Sequence, residues 1–159
     1  MTVTKINELS NALARTIVLN ATSKKAKRYL INYNIKGKLL DIPNALFTFR
    51  GIYCISLTKG KKSAVAYIGK SEDETDERLR HHLTGKNKNG TDLAASVRHK
   101  NKKIKEAISK GYIVHLYLYP NADFEKASLS CIEIASSLLA GDKFIKTFRD
   151  EEHWNERNG

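Results

Sequence analysis

The sequence predicts an α+β domain in which helices flank a small, three-stranded, mostly antiparallel sheet. Two observations carry this. Residues 52–57 and 64–68 are short apolar runs separated by Lys59-Gly60-Lys61-Lys62, the punctuation of a β-hairpin with a loop longer than two residues. Residues 112–119 then read as a third strand, with Val114, Leu116 and Leu118 alternating before Pro120 stops the run. Around these strands lie stretches of helical periodicity. At 159 residues the chain is long enough for one domain with its own core.

The elements follow in order. Residues 4–21 place Leu9, Ala12, Leu13, Ile17 and Val18 on one helical stripe, with Thr4 or Asn7 as cap. Lys24-Lys25-Ala26-Lys27-Arg28 is a basic cluster, read either as a solvated helix face or as an arm that contacts phosphates. Asp41-Ile42-Pro43 interrupts regular structure ahead of the hairpin. Residues 1–50 are therefore expected to be a helical extension, DNA-contacting or dimer-forming, wrapped on a main domain of residues 51–159.

Acidic residues 72–77 precede the next helix, where they suit the orphan amides and positive end of its first turn. That helix holds Arg78 and His82 four residues apart, hence on one face. Residues 86–90 make a basic loop. A helix over 92–109 would bury Leu93, Val97, Ile104 and Ile108, and Gly111 would stop it. The last helix is predicted from Asn121 or Asp123 to about Leu139, with Ala127, Cys131, Ile134, Ala135 and Leu138 inward and Gly141 ending or bending it.

Composition narrows the partner. Lys and Arg number 28 against 17 Asp and Glu, a formal charge of +11, which favours a polyanion and nucleic acid first. No apolar run approaches the ~20 residues of a membrane span, and residues 1–20 lack the pattern of a signal peptide. Cys54 and Cys131 lie in apolar runs without zinc spacing, as expected of reduced core residues in a cytoplasmic protein.

Four features then occur in a particular order. Gly51-Ile52-Tyr53 and Tyr67-Ile68-Gly69 bracket the hairpin, and Lys70 follows the second triplet. Arg78-Leu79-Arg80-His81-His82 comes on the next helix, and Trp154-Asn155 comes after the Phe144-Ile145-Lys146 run. Over residues 51–155, about two-thirds of the chain, this set resembles the GIY-YIG nuclease family, its restriction-enzyme and phage branches in particular.

The resemblance implies a GIY-YIG nuclease fold and metal-dependent hydrolysis of double-stranded DNA in a bacterial or phage-infected cell. It implies Tyr53 as general base or water-positioning group, Tyr67 positioning water or phosphate, Lys70 and Arg78 supplying positive charge, His82 bonded to Tyr53 or assisting proton transfer, and Asn155 ordering the loop. It also implies one Mg²⁺ held by a glutamate on the last helix. Counting back from residues 144–146 puts that glutamate at Ala140, which has no oxygen to offer. Either the slot is vacated, in an engineered or natural inactive form, or Glu133 fills it through a shifted alignment; Ala140 is the reading preferred here.

Candidate DNA contacts are Lys24, Lys25, Lys27 and Arg28, together with Lys86, Lys88, Arg98, Lys100, Lys102 and Lys103. A two-strand cut takes two active sites, hence a homo-oligomer, or successive nicks. A non-catalytic nucleic-acid-binding module and an RNA-directed nuclease are the alternatives.

Overall fold

The hairpin of the two triplets sits at one side of a larger sheet. The computed structural model describes residues 2–73, 75–120 and 126–155, leaving aside the side chains of residues 3, 4, 6, 7 and 126–128. The elements are α1 (Val3–Ala21), β1 (Arg28–Tyr33), β2 (Leu39–Leu40), a 3₁₀ turn at Asn44–Thr48, β3 (Gly51–Lys59) and β4 (Lys62–Ser71). They continue with α2 (Arg78–Thr84), α3 (His99–Ser109), β5 (Ile113–Pro120) and α4 (Lys126–Thr147). The class is α+β as expected.

The sheet has five strands, not three, in the order β2-β1-β5-β3-β4, and every pairing is antiparallel. The two further strands come from the segment read as an extension. β1 pairs with β5 through Arg28↔Tyr117 and Ile31↔Val114, and α1 packs on α4. Their signal was masked because only Ile31 of β1 is fully buried, while Leu30 is 45% exposed and a lysine-rich turn runs straight into the strand.

Helices cover both faces, so β3 is apolar along its length rather than alternating. Tyr53, Ile55 and Leu57 face one cluster with Leu79, Leu83 and Ile104 of α2 and α3. Ile52 and Cys54 face a second with Ile17 and Val18 of α1 and Leu129, Ile132 and Ala140 of α4. Burying a Leu or Ile of this kind is worth roughly 1.5–3 kcal/mol.

Several boundaries and one face differ from expectation. α1 is capped by Thr2, whose hydroxyl accepts from the Lys5 amide at 3.2 Å, rather than by Thr4 or Asn7. α3 begins at His99, so Val97 lies outside it and half-exposed, and Asn101 takes an inward position. α4 runs through Gly141 to Thr147, and the proposed caps Asn121 and Asp123 fall outside the described residues.

The inward stripe of α4 is Leu129, Ile132, Ser136, Ala140 and Phe144. The predicted stripe faces solvent instead, with Cys131 exposed, Ile134 59% exposed and Leu138 50% exposed; the side chain of Ala127 lies outside the described residues. Both stripes have helical spacing, so periodicity alone does not choose between them. Among the described residues, no helix is long and apolar enough to cross a membrane.

Candidate active site

The site begins with a bulge. In the β3–β4 ladder Ile55 pairs with Tyr67 but Ser56 pairs with Val65, which leaves Ala66 unmatched. A bulge re-aims the side chains beyond it by inserting one residue into the two-residue period. Here it turns Tyr67 onto the same face as Tyr53, so Ala64, Ala66 and Tyr67 all lie against one cluster. Without it Tyr67 would point at α1 and α4.

Both triplet glycines have a physical reason. Gly51 has φ +143°, a backbone state that favours glycine. A Cβ on Gly69 would lie 2.4 Å from Cζ and 2.5 Å from Oη of Tyr53. The ring of Tyr53 lies directly over the Gly69 backbone.

Tyr53, Tyr67 and His82 then form a ring cluster. Centroid separations are 6.0 Å for Tyr53–Tyr67, 6.0 Å for Tyr53–His82 and 5.1 Å for Tyr67–His82, the last pair edge to face at 86°. The expected bond is present: Oη of Tyr53 and Nδ1 of His82 are 3.0 Å apart. Burial, followed by the charges of Lys100, His81 and Arg78, pushes His82 down to about 3. The imidazole is neutral, and in its Nε2–H tautomer Nδ1 has a lone pair that accepts from the tyrosine hydroxyl. Burial raises Tyr53 well above the usual phenol range, with nearby Tyr67 adding to the rise and Arg78 opposing it. Tyr67 is raised as well, chiefly by burial, with Tyr53 opposing and Glu133 adding to the rise.

His82 is held from behind by residues the sequence reading missed. Nδ2 of Asn101 donates to the carbonyls of His82 at 3.2 Å and Leu83 at 3.0 Å. The hydroxyl of Tyr33 donates to the Leu83 carbonyl at 2.6 Å. These bonds satisfy carbonyls at the end of α2 and tie it to α3 and β1. The signal available in the sequence was an asparagine inside a helix, which tends to seek backbone partners.

Charges line the open side. Arg78 is 53% exposed, with Nε 3.5 Å from Asp76 Oδ1. Lys100 places Nζ over the Tyr67 ring at 5.2 Å, which makes it a site residue as well as a surface cation. Nζ of Lys70 is held by Glu72 Oε1 at 2.6 Å and by Ser130 Oγ at 2.6 Å.

Ser130 and Glu133 are three apart on α4 and share a face. Glu133 is half-buried, and burial raises its carboxyl while Lys70 and Arg78 counter that rise. Its charge in turn acts on Tyr67. Ala140, by contrast, is fully buried in the apolar cluster with Val18, Val65 and Ile68. Seven residues separate it from Glu133, about 10 Å along the helix. Ala140 is thus a packing position in this structure, and Glu133 is the half-buried carboxylate on the face of α4 that carries Ser130.

The tail supports the hairpin from outside. β4 is an edge strand, and its free backbone groups are met by residues 153–155. Asn155 Oδ1 accepts from the Ile68 amide at 2.8 Å and its Nδ2 donates to the Ile68 carbonyl at 2.7 Å. The Trp154 amide donates to the carbonyl of the bulge residue Ala66 at 2.9 Å, and the indole is buried. Asn155 thus acts on the middle residue of the second triplet.

The remaining basic candidates divide. Lys25 and Lys27 line a cleft near Phe49 and Tyr117, Lys24 is exposed beside them, and Arg28 enters the sheet in β1. Lys86, Lys88 and Arg98 lie beyond the end of α2, while Lys102 and Lys103 sit on α3 away from the ring cluster. Among the described residues, no three His, Cys, Asp or Glu side chains gather to hold a metal. A single carboxylate nonetheless fits a Mg²⁺ ion, which is usually bound through one or two carboxylates, waters and substrate phosphate.

No relative emerges from comparison. No protein-family model, curated protein or solved structure matches the chain.

Proposed function

We propose that this chain is a metal-assisted endonuclease that hydrolyses phosphodiester bonds in double-stranded DNA. The observation that carries the reading is convergence: Tyr53, Tyr67, His82 and Lys100, drawn from four elements, meet at one face of the hairpin, and the charges of Arg78 and Glu133 act on Tyr67. The ordered resemblance to the GIY-YIG family supports it as well, and in this reading Glu133 supplies the carboxylate, so that the chain as it stands is the active form.

Hydrolysis needs a deprotonated water, charge opposite the phosphate and relief for the departing oxygen. A buried phenolate stored on Tyr53 is costly, because burial raises that hydroxyl. A relay avoids the cost. Tyr53 is fully buried in this structure, so the hairpin must open it to solvent; Oη then takes a proton from the attacking water while its own proton passes 3.0 Å to Nδ1 of His82. The new O–P bond forms, the old P–O bond breaks, and the leaving oxygen takes its proton from solvent. The phosphate's negative charge draws His82 back towards protonation as the substrate arrives.

Arg78 presents its exposed guanidinium to the phosphate oxygens, for which its fork geometry is suited. Tyr67 orders water beside Tyr53. Glu133 would hold Mg²⁺, and the chemistry supplied by that ion is charge on the scissile phosphate. Lys70, fixed by Glu72 and Ser130, keeps the carboxylate side of the site in place. A second copy would provide the second cut in a duplex.

The test is nicking of supercoiled plasmid with Mg²⁺ or with EDTA, with duplex RNA run in parallel. Wild type should nick DNA only with metal, and Tyr53→Phe or Glu133→Gln should lose about 10²–10⁴-fold in rate. No DNA cleavage with Mg²⁺ or Mn²⁺, or full activity in Tyr53→Phe, would overturn the proposal.

A further inference from the structure

Beyond the end of α2 lies a cleft of about 640 Å³, walled by the β1–β2 turn, the α2–α3 loop and the start of α3. Its lining is unbalanced in charge: seven Lys or Arg face one Asp, whereas the whole chain has 28 against 17. Two of the cations are ion-paired, and a third, Lys105, places Nζ 5.0 Å over the Tyr33 ring. Arg80 bonds Glu77 at 2.8 Å, and Lys86 pairs with Asp92, the single acid of the lining, at 3.8 Å.

Lys36 and Lys38 of the turn, Lys88 of the loop, and Arg98 and Lys105 make no ion pair among the described residues. Nε of Arg98 is buried without a hydrogen-bond partner, an orphan donor in the cleft wall. Like charges repel when they share a concave surface, and such a surface concentrates anions. Scattered lysines on a basic protein would not give this ratio or leave that donor unmet.

The cleft is close to the ring cluster. Gly85 lines it, and three residues of helix separate Gly85 from His82, about 5 Å along the axis. A nucleic-acid strand carries one phosphate per ~3.4 Å of duplex axis. Arg78 lies seven residues before Gly85, about 10 Å along the axis, so about three nucleotides bridge a phosphate at Arg78 and a phosphate in the cleft.

We propose that this cleft seats the backbone phosphates flanking the scissile bond, a proposal that rests on the nuclease reading. Lys36, Lys38, Lys88, Arg98 and Lys105 grip the strand from three segments of chain, so that the β1–β2 turn takes part in DNA binding although it lies outside the GIY-YIG-like region.

The experiment is fluorescence anisotropy of a labelled 20-base-pair duplex titrated with protein in EDTA, from 50 to 200 mM KCl. The triple variant Lys36→Ala/Lys38→Ala/Lys88→Ala is compared with Lys61→Ala/Lys62→Ala/Lys143→Ala, which removes equal charge from other exposed positions. The cleft triple should lower the slope of log affinity against log salt by about 2–3 and weaken binding at least 30-fold at 100 mM, against under about 3-fold for the control. Arg98→Gln alone should lower the slope by about 1.

Equal losses in the two triples, or no measurable binding by wild type, would overturn the cleft proposal. Plasmid nicking by the same proteins keeps the two readings apart. Wild type that cuts, with both triples binding alike, sinks the cleft alone. Wild type that binds through the cleft but never cuts sinks the nuclease reading and leaves the cleft standing.

Discussion

The hydroxyl of Tyr53 lies 3.0 Å from Nδ1 of His82, and the two rings are brought together by different elements, β3 and α2. Neither residue is positioned by its own segment alone. Gly69 leaves room for the Tyr53 ring, and Asn101 holds the carbonyl of His82. The pair is pre-organised, and the pre-organisation is paid for by burying a histidine in its neutral form.

That cost gives a pH dependence of stability. His82 is depressed to about 3 in the folded chain, mainly by burial, against 6.5 when free. The unfolded chain binds the proton first, so stability is full above about pH 6.5 and falls towards pH 3, by up to ~1.4 kcal/mol per pH unit. Urea midpoints at pH 7.0 and 4.5 should show wild type losing about 2 kcal/mol more than His82→Asn over that interval. Equal acid losses in both proteins would contradict a neutral, buried His82.

Gly69→Ala tests the closeness of the hairpin to the Tyr53 ring. The added Cβ would lie 2.4–2.8 Å from three ring atoms, so the ring must move. Overpacking of this kind costs roughly 1–3 kcal/mol, and displacement of Tyr53 should remove nuclease activity as well. In Gly69→Ala/Tyr53→Ala the clash is gone, so a double-mutant cycle in urea should show a favourable coupling of about 1 kcal/mol or more. Strict additivity would mean the strand absorbs the methyl without touching the ring.

Asn155 offers an acceptor and a donor to one residue of an edge strand. Asn155→Ala leaves the Ile68 amide and carbonyl without these partners, at about 1–3 kcal/mol. Asn155→Asp keeps the acceptor for the amide and should fall between the two in thermal stability. A lowered kcat in both variants, with DNA affinity unchanged, is the expected kinetic result, because the effect reaches substrate only through Tyr67. Alanine as stable as wild type would remove the clamp from the account.

What could be read in the sequence was local. The β3–β4 hairpin and the shared face of Arg78 and His82 depend on residues close in the chain or on a strong turn signal. The bulge that turns Tyr67, the docking of β1 on β5 and the inward face of α4 depend on what lies opposite. Ile134 and Leu138 have the spacing of core residues, yet Leu129, Ile132 and Ala140 win the core because α1 packs there.

Positions 133 and 140 give opposite outcomes when exchanged. Glu133→Gln keeps the shape of the side chain but removes the charge that a Mg²⁺ ion requires. Cleavage should drop at least about 10²-fold with little change in melting temperature. Because burial raises the Glu133 carboxyl, the acid limb of the wild-type rate should lie above the ordinary glutamate range, with activity lost as pH falls through it. Ala140→Glu, the substitution expected to restore an enzyme if that slot were vacant, places a carboxylate among Val18, Val65 and Ile68. An unpaired buried charge costs about 3–5 kcal/mol, so the variant should melt early and gain no activity. Faster cleavage by Ala140→Glu, in protein as stable as wild type, would put the metal back at position 140.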